Sequence, residues 1–393
     1  MERWSCFGRG FLVVCATRND TRNSTRHNRA VKKFAIVLVL AVAIYFVAWP
    51  VPVDPVAWHA PTAPGYTGPF ARNERLKQLE LLSIGNHHGP ESLALDSEGR
   101  IYAATHEGAI VRLRADGSSP DDWVKTGGRP LGIRFDRAGN LYVADAFRGL
   151  LRIAPDRTLT VLADEADGKP IRYANSVAVA SDGKVYFTDA STKFGAQQFG
   201  GTYEASLLDV LEHGSHGRLL IWDPATRRTT TLLTDLNFAN GVALAHDESY
   251  LLVNDMGSYR VLRHWLAGPR RGATEPLLEN LPGFPDNLST GRDGRFWLAL
   301  VSPRNTLLDR LSGAPFVRKM IQRLPAFIRP EAVAYGHIVA FDGNGRILAS
   351  LQDPSGEYRL TTEAVETPEY IYVGSLVMPV LGRIKNFELG IKN

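Results

Sequence analysis

The chain repeats one short pattern at separations of 40 to 65 residues, and a recurring unit constrains a fold more than any local propensity does. In register the copies read ESLALDSEGRIY from Glu91, LGIRFDRAGNLY from Leu131, NSVAVASDGKVY from Asn175, NGVALAHDESYL from Asn240 and DNLSTGRDGRFW from Asp286. Each joins two runs of alternating apolar residues through a D-x-x-G-like turn, the pattern of a half-buried antiparallel hairpin. Further apolar runs follow, GAIVRLRADG, GLLRIAPDRT, GRLLIWDPATRR and YRVLRHWLAG, so the unit has four strands. Four-stranded units at this spacing are propeller blades. Five are explicit, and a sixth is expected from GHIVAFDGNGRILASL, beginning at Gly336, together with the C-terminal EYIYVGSLVMPVLGRI. Residues 76–393 are therefore predicted to be an all-β, six-bladed β-propeller whose last blade is completed from both ends. The aromatics Tyr102, Tyr142, Tyr186 and Trp297 recur at strand ends and are expected to pack between blades.

Two stretches have no counterpart in the repeat: STKFGAQQFGGTYEASLLDVLEHGSHG between the third and fourth units, and the segment from Ser302 to Tyr335 after the fifth. Both contain short helical patterns. Long unrepeated loops on one rim are the usual cover of a site.

Ahead of the repeats, no charge occurs from Phe34 to Val53, and Phe34 to Trp49 can be continuous helix before Pro50 and Pro52. Sixteen helical residues rise about 24 Å, which Lys32 and Lys33 at one end and Tyr45 and Trp49 at the other can fit to a bilayer. Residues 34–49 are expected to be an uncleaved transmembrane signal anchor; a signal peptide cleaved near Ala41 or Ala48, or a core helix, are the alternatives. Residues 1–33 carry eight Lys/Arg against Glu2 and Asp20, a charge of +6 that leaves −2 for the rest of a chain whose total is +4. That asymmetry places the basic tail in the cytosol and the propeller on the extracytoplasmic side, periplasmic or lumenal. It also argues against a nucleic-acid surface on the body. Residues 50–75 are Pro-rich and read as a stiff extended stalk. Both cysteines, Cys6 and Cys15, fall in the tail, so the body has neither a disulfide nor a Cys-based zinc site.

The first position of the aligned units is Glu91, Leu131, Asn175, Asn240 and Asp286. Equivalent positions around a propeller axis lie at one height, so these side chains are expected to ring one mouth of the channel. Glu363, nine residues before Tyr372, is expected to join them through a shortened hairpin. Two carboxylates about 5 Å apart at an effective dielectric of ~20 repel by roughly 3 kcal/mol. A hard cation removes that penalty, and acids with amide oxygens, free of Cys and His, suit Ca²⁺ rather than zinc. Asn287, next to Asp286, can add an oxygen. The bland alternative is that Asn and Asp merely begin strands in turns. His87 and His88 precede Glu91 closely enough to serve as proton acceptors, or else are exposed loop residues. His213, His216 and His246 read as surface residues.

These stretches, with VYFTDAS, GRLLIWDPATRRTTTLLTDLNFANGVALAHDESYLLV and ENLPGFPDNLSTGRDGRFWLAL, resemble the strictosidine synthase-like proteins, most closely their adipocyte plasma membrane-associated group, which also has an N-terminal anchor. The likeness runs from about residue 80 to 385. The wider superfamily of gluconolactonases, paraoxonases and diisopropyl-fluorophosphatase consists of six-bladed propellers. The resemblance implies a channel calcium held by Glu91, Asn175, Asn240 and Asp286. Plant strictosidine synthases use a glutamate shortly before the final Y-x-G strand to hold an amine during condensation; counted back from IYVG that position is Thr362, with Glu363 adjacent. The paraoxonase-type histidine is absent, since GRPLG has Pro130 and Leu131 there. The expected function is a membrane-anchored, calcium-dependent hydrolase, lactonase- or arylesterase-like, acting on a small-molecule ester, lactone or phosphoester, with Asp286 as ligand and as nucleophile or base. The alternatives are a non-catalytic propeller that binds an extracytoplasmic partner and a C–N condensing enzyme that uses Glu363.

Overall fold

The computed structural model describes residues 20–386, so Cys6, Cys15 and most of the basic tail lie outside the described residues. The chain divides after Val51 into two units. The first contains helix α1 (Asp20–Ala48), of which Arg26–Ala48 is long and apolar enough to cross a membrane. This helix begins well before Phe34. Arg and Lys are good helix formers, so the apolar run marks only the part suited to lipid, not the start of the helix. It stops at Ala48 because Pro50 has no amide to donate and disfavours helical geometry before it.

The second unit is a six-bladed β-propeller of six four-stranded antiparallel sheets. The first strands of the blades, Ser92–Leu95, Pro130–Phe135, Ala174–Val179, Ala239–Leu244, Gly283–Thr290 and Thr361–Glu366, pack against one another around the axis, the sixth against the first. The D-x-x-G turns behave as the sequence suggests: Asp96 Oδ1 accepts from the amides of Glu98 and Arg100, and Gly99 takes a positive φ of 75° that a side chain would resist. Tyr102 sits edge-on to Trp123 of its own blade and to Phe135 of the next, so the recurrent aromatics are glue between blades.

Two parts of the blade assignment differ from the sequence reading. The hairpin beginning at Gly336 (Gly336–Asp342 and Ile347–Asp353) completes blade five, not blade six. Blade six consists of Thr361–Glu366, Tyr370–Ser375 and Val380–Lys385, and the chain's first strand, Glu80–Ser83, closes it by pairing with the last. The cause of the misreading is the insertion that separates the two hairpins of blade five. The other insertion is likewise internal: it lies within blade three, where it forms helix α2 (Thr202–Glu212), and does not separate blades three and four. The blade-five insertion forms helices α3 (Thr306–Arg310) and α4 (Pro315–Gln322). Both insertions link second to third strands, so both rise from the same rim.

The Pro-rich segment read as a stalk lies along this rim and ties the two insertions together. The amide of Asp54 donates to Glu212 Oε2 (2.6 Å), that of Val56 to the Glu212 carbonyl (2.9 Å) and that of Trp58 to the Ser312 carbonyl (3.1 Å). Arg318, buried under α4, donates to the carbonyls of Leu211, Ser312 and Val56. The Trp58 ring stacks on His213, with centroids 3.9 Å apart. His213 is thus buried rather than a surface residue, and burial depresses its pKa to about 3.

Candidate functional site

The innermost strands carry the site through a repeated irregularity. In blades two to six the pairing of the first and second strands skips two residues: Leu131–Gly132, Asn175–Ser176, Asn240–Gly241, Asp286–Asn287 and Thr362–Glu363. A bulge re-aims side chains that a regular strand would send into the blade faces. The residue at its first position is Leu131, Asn175, Asn240, Asp286 or Thr362, and Glu91 stands at the matching place in blade one, before Leu93 pairs with Ala103. Thr362, not Glu363, therefore completes the ring, and its hydroxyl donates to the Glu91 carbonyl (2.7 Å).

Glu91, Asn175, Asn240 and Asp286 all line one cavity at the mouth of the channel. All four are almost completely buried. The two carboxylates oppose each other: burial raises both pKa values, that of Asp286 strongly, and each is raised further by nearby negative charge, Glu91 on Asp286 and Glu363 on both. Asn240 lowers that of Asp286 and Arg129 that of Glu91. The Oδ1 atoms of Asn175 and Asn240 are buried with no hydrogen-bond partner, as are both amide atoms of Asn287, one bulge position deeper. Such orphans are rare in native interiors. Among the described residues no three His, Cys, Asp or Glu side chains converge as a metal-binding group; the ring is instead two carboxylates with two amides.

Two groups of residues around the ring escaped the sequence reading. Two residues before the ring positions of blades two to five stand Arg129, Tyr173, Phe238 and Phe284. The last three line the cavity, so the register that defined the ring, counted back two residues, could have found this tier too. Arg129 is buried and its Nη2 donates to Glu91 Oε2 (2.9 Å). Tyr173 donates through its hydroxyl to the Thr202 carbonyl (2.7 Å), holding the start of α2 over the ring. The second group is the buried aspartates that end second strands: Asp145 Oδ1 accepts from the Arg129 amide and Asp189 Oδ1 from the Tyr173 amide, both at 2.9 Å. Their signal is the terminal Asp of LYVAD and VYFTD. The cover expected from the two unrepeated stretches contributes Thr202 and Ser206 from α2 and Asn305, Leu308 and Glu331 from the blade-five insertion.

Other candidates lie elsewhere. Glu363 is fully buried beneath the ring, where its carboxylate accepts from Arg134 and from the Leu93 amide (2.7 Å). Arg134 also donates to the carbonyls of Leu93 and Leu288. A second cavity of about 700 Å³ opens farther along the axis, with Arg134 in its wall, and shares no residue with the first. His87 and His88 do not reach the ring cavity: His87 meets Asp122 (2.6 Å) and Glu107 (3.3 Å), and His88 meets Glu107. Their sequence proximity to Glu91 misleads because Gly89, at a φ of 62°, turns the chain between them.

Family models for strictosidine synthase and for the strictosidine synthase-like N-terminal region match residues 175–269 and 68–113. The adipocyte plasma membrane-associated protein of Rattus norvegicus is 32% identical over 356 residues, covering 85% of this chain and 93% of its own. Protein STRICTOSIDINE SYNTHASE-LIKE 6 of Arabidopsis thaliana is 36% identical over 312 residues, covering 77% and 81%. The chain belongs to the strictosidine synthase-like family. Solved structures share the fold of this strictosidine synthase-like chain at low identity. A gluconolactonase of Xanthomonas campestris superposes with a TM-score of 0.58 at 18% identity, covering 85% of this chain and 96% of that one. A calcium-binding protein, regucalcin, of Agrobacterium tumefaciens superposes at 0.54 with 13% identity, covering 80% and 94%.

Proposed function

We propose that the protein is a membrane-anchored, calcium-dependent hydrolase of small lactones, esters or phosphoesters, with its propeller on the extracytoplasmic side. The observation that carries this reading is the ring: two buried carboxylates that repel each other, beside two amide oxygens with no partner. Hard oxygen donors of that kind suit a calcium ion, whose remaining ligands would be water or substrate. The names of the gluconolactonase and regucalcin neighbours agree with it. Glu91, Asn175, Asn240 and Asp286 would hold the ion, with Asn287 close by; when bound, it supplies Lewis-acid polarisation of a carbonyl or phosphoryl oxygen.

The chain's own residues do the rest. Asp286, the ring carboxylate without an arginine partner, would take a proton from an attacking water at its carboxylate, since Glu91 is held by Arg129. Arg129 holds Glu91 in place at Oε2. Tyr173, Phe238, Phe284 and Leu308 form apolar walls for the acyl or ring portion of a substrate. The closed cover leaves about 90 Å³, below the ~300 Å³ of small-molecule sites, so substrate entry requires the cover to shift. The basic residues before the apolar run that begins at Phe34 support a cytosolic N-terminus. The condensing alternative needs a free glutamate at cavity level. Thr362 occupies that level, and Glu363 is engaged by Arg134 below it.

The test is hydrolysis of aryl esters and lactones by the full chain, with calcium and with chelator, and by Asp286→Ala. Chelator and the substitution are each expected to lower kcat by at least about 100-fold, with calorimetric calcium binding lost in the variant and its circular dichroism unchanged. Equal turnover with calcium and chelator discards the metal. Calcium binding without turnover on any of these substrates leaves a non-catalytic propeller.

A further inference from the structure

We infer that the outer surface of the cover is a second membrane contact, which docks on a phospholipid bilayer with anionic headgroups; the inference builds on the anchored reading above. Beyond residue 50, ten large apolar side chains are exposed among the described residues, and six of them, Leu307, Phe316, Val317, Phe327, Ile328 and Val333, belong to the blade-five insertion. A seventh, Val56, belongs to the Pro-rich strap bound to it. Isolated exposed apolar residues are ordinary, but a concentration in one segment marks a contact surface.

The same segment has two distinct sides. Asn305, Leu308, Pro330 and Glu331 line the cavity, and Arg318, Ile321 and Gln322 of α4 are buried. Phe316 and Val317 of α4 and Phe327, 84% exposed, face solvent. The occupant is indicated by charge and by connectivity. Residues 303–333 hold six basic residues against Asp309 and Glu331, in a body whose overall charge is negative. Of these, Arg304 is paired with Asp309 and Lys319 with Asp54, Arg318 and Arg329 donate to carbonyls and Arg323 is buried, while Arg310 is exposed beside Leu307, so the segment keeps a net positive charge with Arg310 as its outward cation. Apolar side chains interspersed with Lys and Arg suit an anionic lipid surface. The strap that joins this surface comes directly from α1: only four residues separate Ala48 from Val53, which is already buried in the propeller unit. A bilayer contact on the outer side of a cover whose inner side lines the cavity would bring apolar, membrane-dissolved lactones or esters to the site.

The experiment uses the full chain with Cys6 and Cys15 replaced by serine and one engineered cysteine, Phe327→Cys or Phe316→Cys, labelled with an environment-sensitive fluorophore; Val161→Cys, exposed on blade two, is the reference. Reconstituted in nanodiscs of phosphatidylcholine with about 30% phosphatidylserine, the cover probes are expected to be quenched by spin-labelled lipid tails at least about threefold more than the reference. Omitting phosphatidylserine should reduce the difference. Equal quenching at all three positions overturns the proposal. So does a cover-probe shift that follows protein concentration and ignores lipid, which would assign the surface to a second copy of the chain. Resistance to alkaline extraction reads the α1 anchor separately. If that anchor fails, quenching of the cover probes by added vesicles still decides the cover contact.

Discussion

Two adjacent levels of one channel treat buried charge in opposite ways. At the lower level Glu363 and Arg134 satisfy each other and the surrounding backbone, with the Leu93 amide donating to the acid and the guanidinium donating to three carbonyls. At the upper level, one bulge position away, Glu91 has Arg129, yet Asp286 faces another acid and the oxygens of Asn175 and Asn240 have no partner. The lower level is complete within the chain as regards charge, although the Asn287 amide at that bulge position has no partner. The upper one is not, and an incomplete polar cluster kept at the floor of a covered cavity is arranged for something that arrives from outside.

If the contrast is real, the two levels should respond to substitution with opposite signs. The largest effect is expected below. Glu363→Ala leaves Arg134 without its counter-charge, which costs roughly 3–5 kcal/mol, read as a lower urea midpoint; calcium affinity should fall as well, because Glu363 adds negative charge near Glu91 and Asp286. A variant as stable as the wild type would mean that the lower pair is not a structural plug.

Above, Asn175→Leu removes an unpartnered amide oxygen and fills its place with apolar volume, a change that is nearly neutral or stabilising when no partner is left stranded. What the variant should lose is the response to ligand. In the wild type, calcium at a hundredfold excess over Kd is expected to add about 2.7 kcal/mol of stability, and in Asn175→Leu most of that increment should vanish in a thermal melt. A large calcium-free destabilisation would show instead that Asn175 is a structural strand-start residue.

The sequence showed the two levels unequally. Register alone brought Glu91, Asn175, Asn240 and Asp286 together, because equivalent positions of repeated hairpins share a height on the axis. It misplaced Glu363 by one position because the expected shortened hairpin is a bulge, which displaces two consecutive residues and gives the ring position to Thr362. Arg134 and Arg129 were missed since neither belongs to the acidic and amide pattern, although Arg129 sits at the tier shared by Tyr173 and Phe284. The cover was legible as unrepeated sequence, but its closure was not: the strap contacts Glu212, Ser312 and Arg318 across more than 150 residues of chain, and no local pattern in a Pro-rich run records such partners.

The smallest of these effects concerns the cover, and it separates closure from the chemistry of either channel level. Trp58 of the strap stacks on His213, and Tyr66 lies against His337, with centroids 5.7 Å apart. Burial holds both histidines to a pKa of about 3 in the fold, below their ordinary 6.5. A folded pKa below the unfolded value means that the unfolded chain binds the proton first, so the stability present above pH ~6.5 is lost as pH falls towards 3. Between pH 6.5 and 5 each histidine contributes a loss of up to about 2 kcal/mol. The buried acids Asp189 and Asp209, raised to about 6 and 7, act in the opposite direction over the same range, so the wild-type pH profile alone does not isolate the strap. His213→Asn does, because asparagine tolerates the left-handed φ of 52° at this helix end and does not ionise. The urea midpoint of the variant should change less between pH 7 and 5 than that of the wild type, and protease should nick the wild-type cover more readily at the lower pH. Parallel profiles in the two proteins would mean that His213 is reached by solvent and that the strap does not clamp the cover through it.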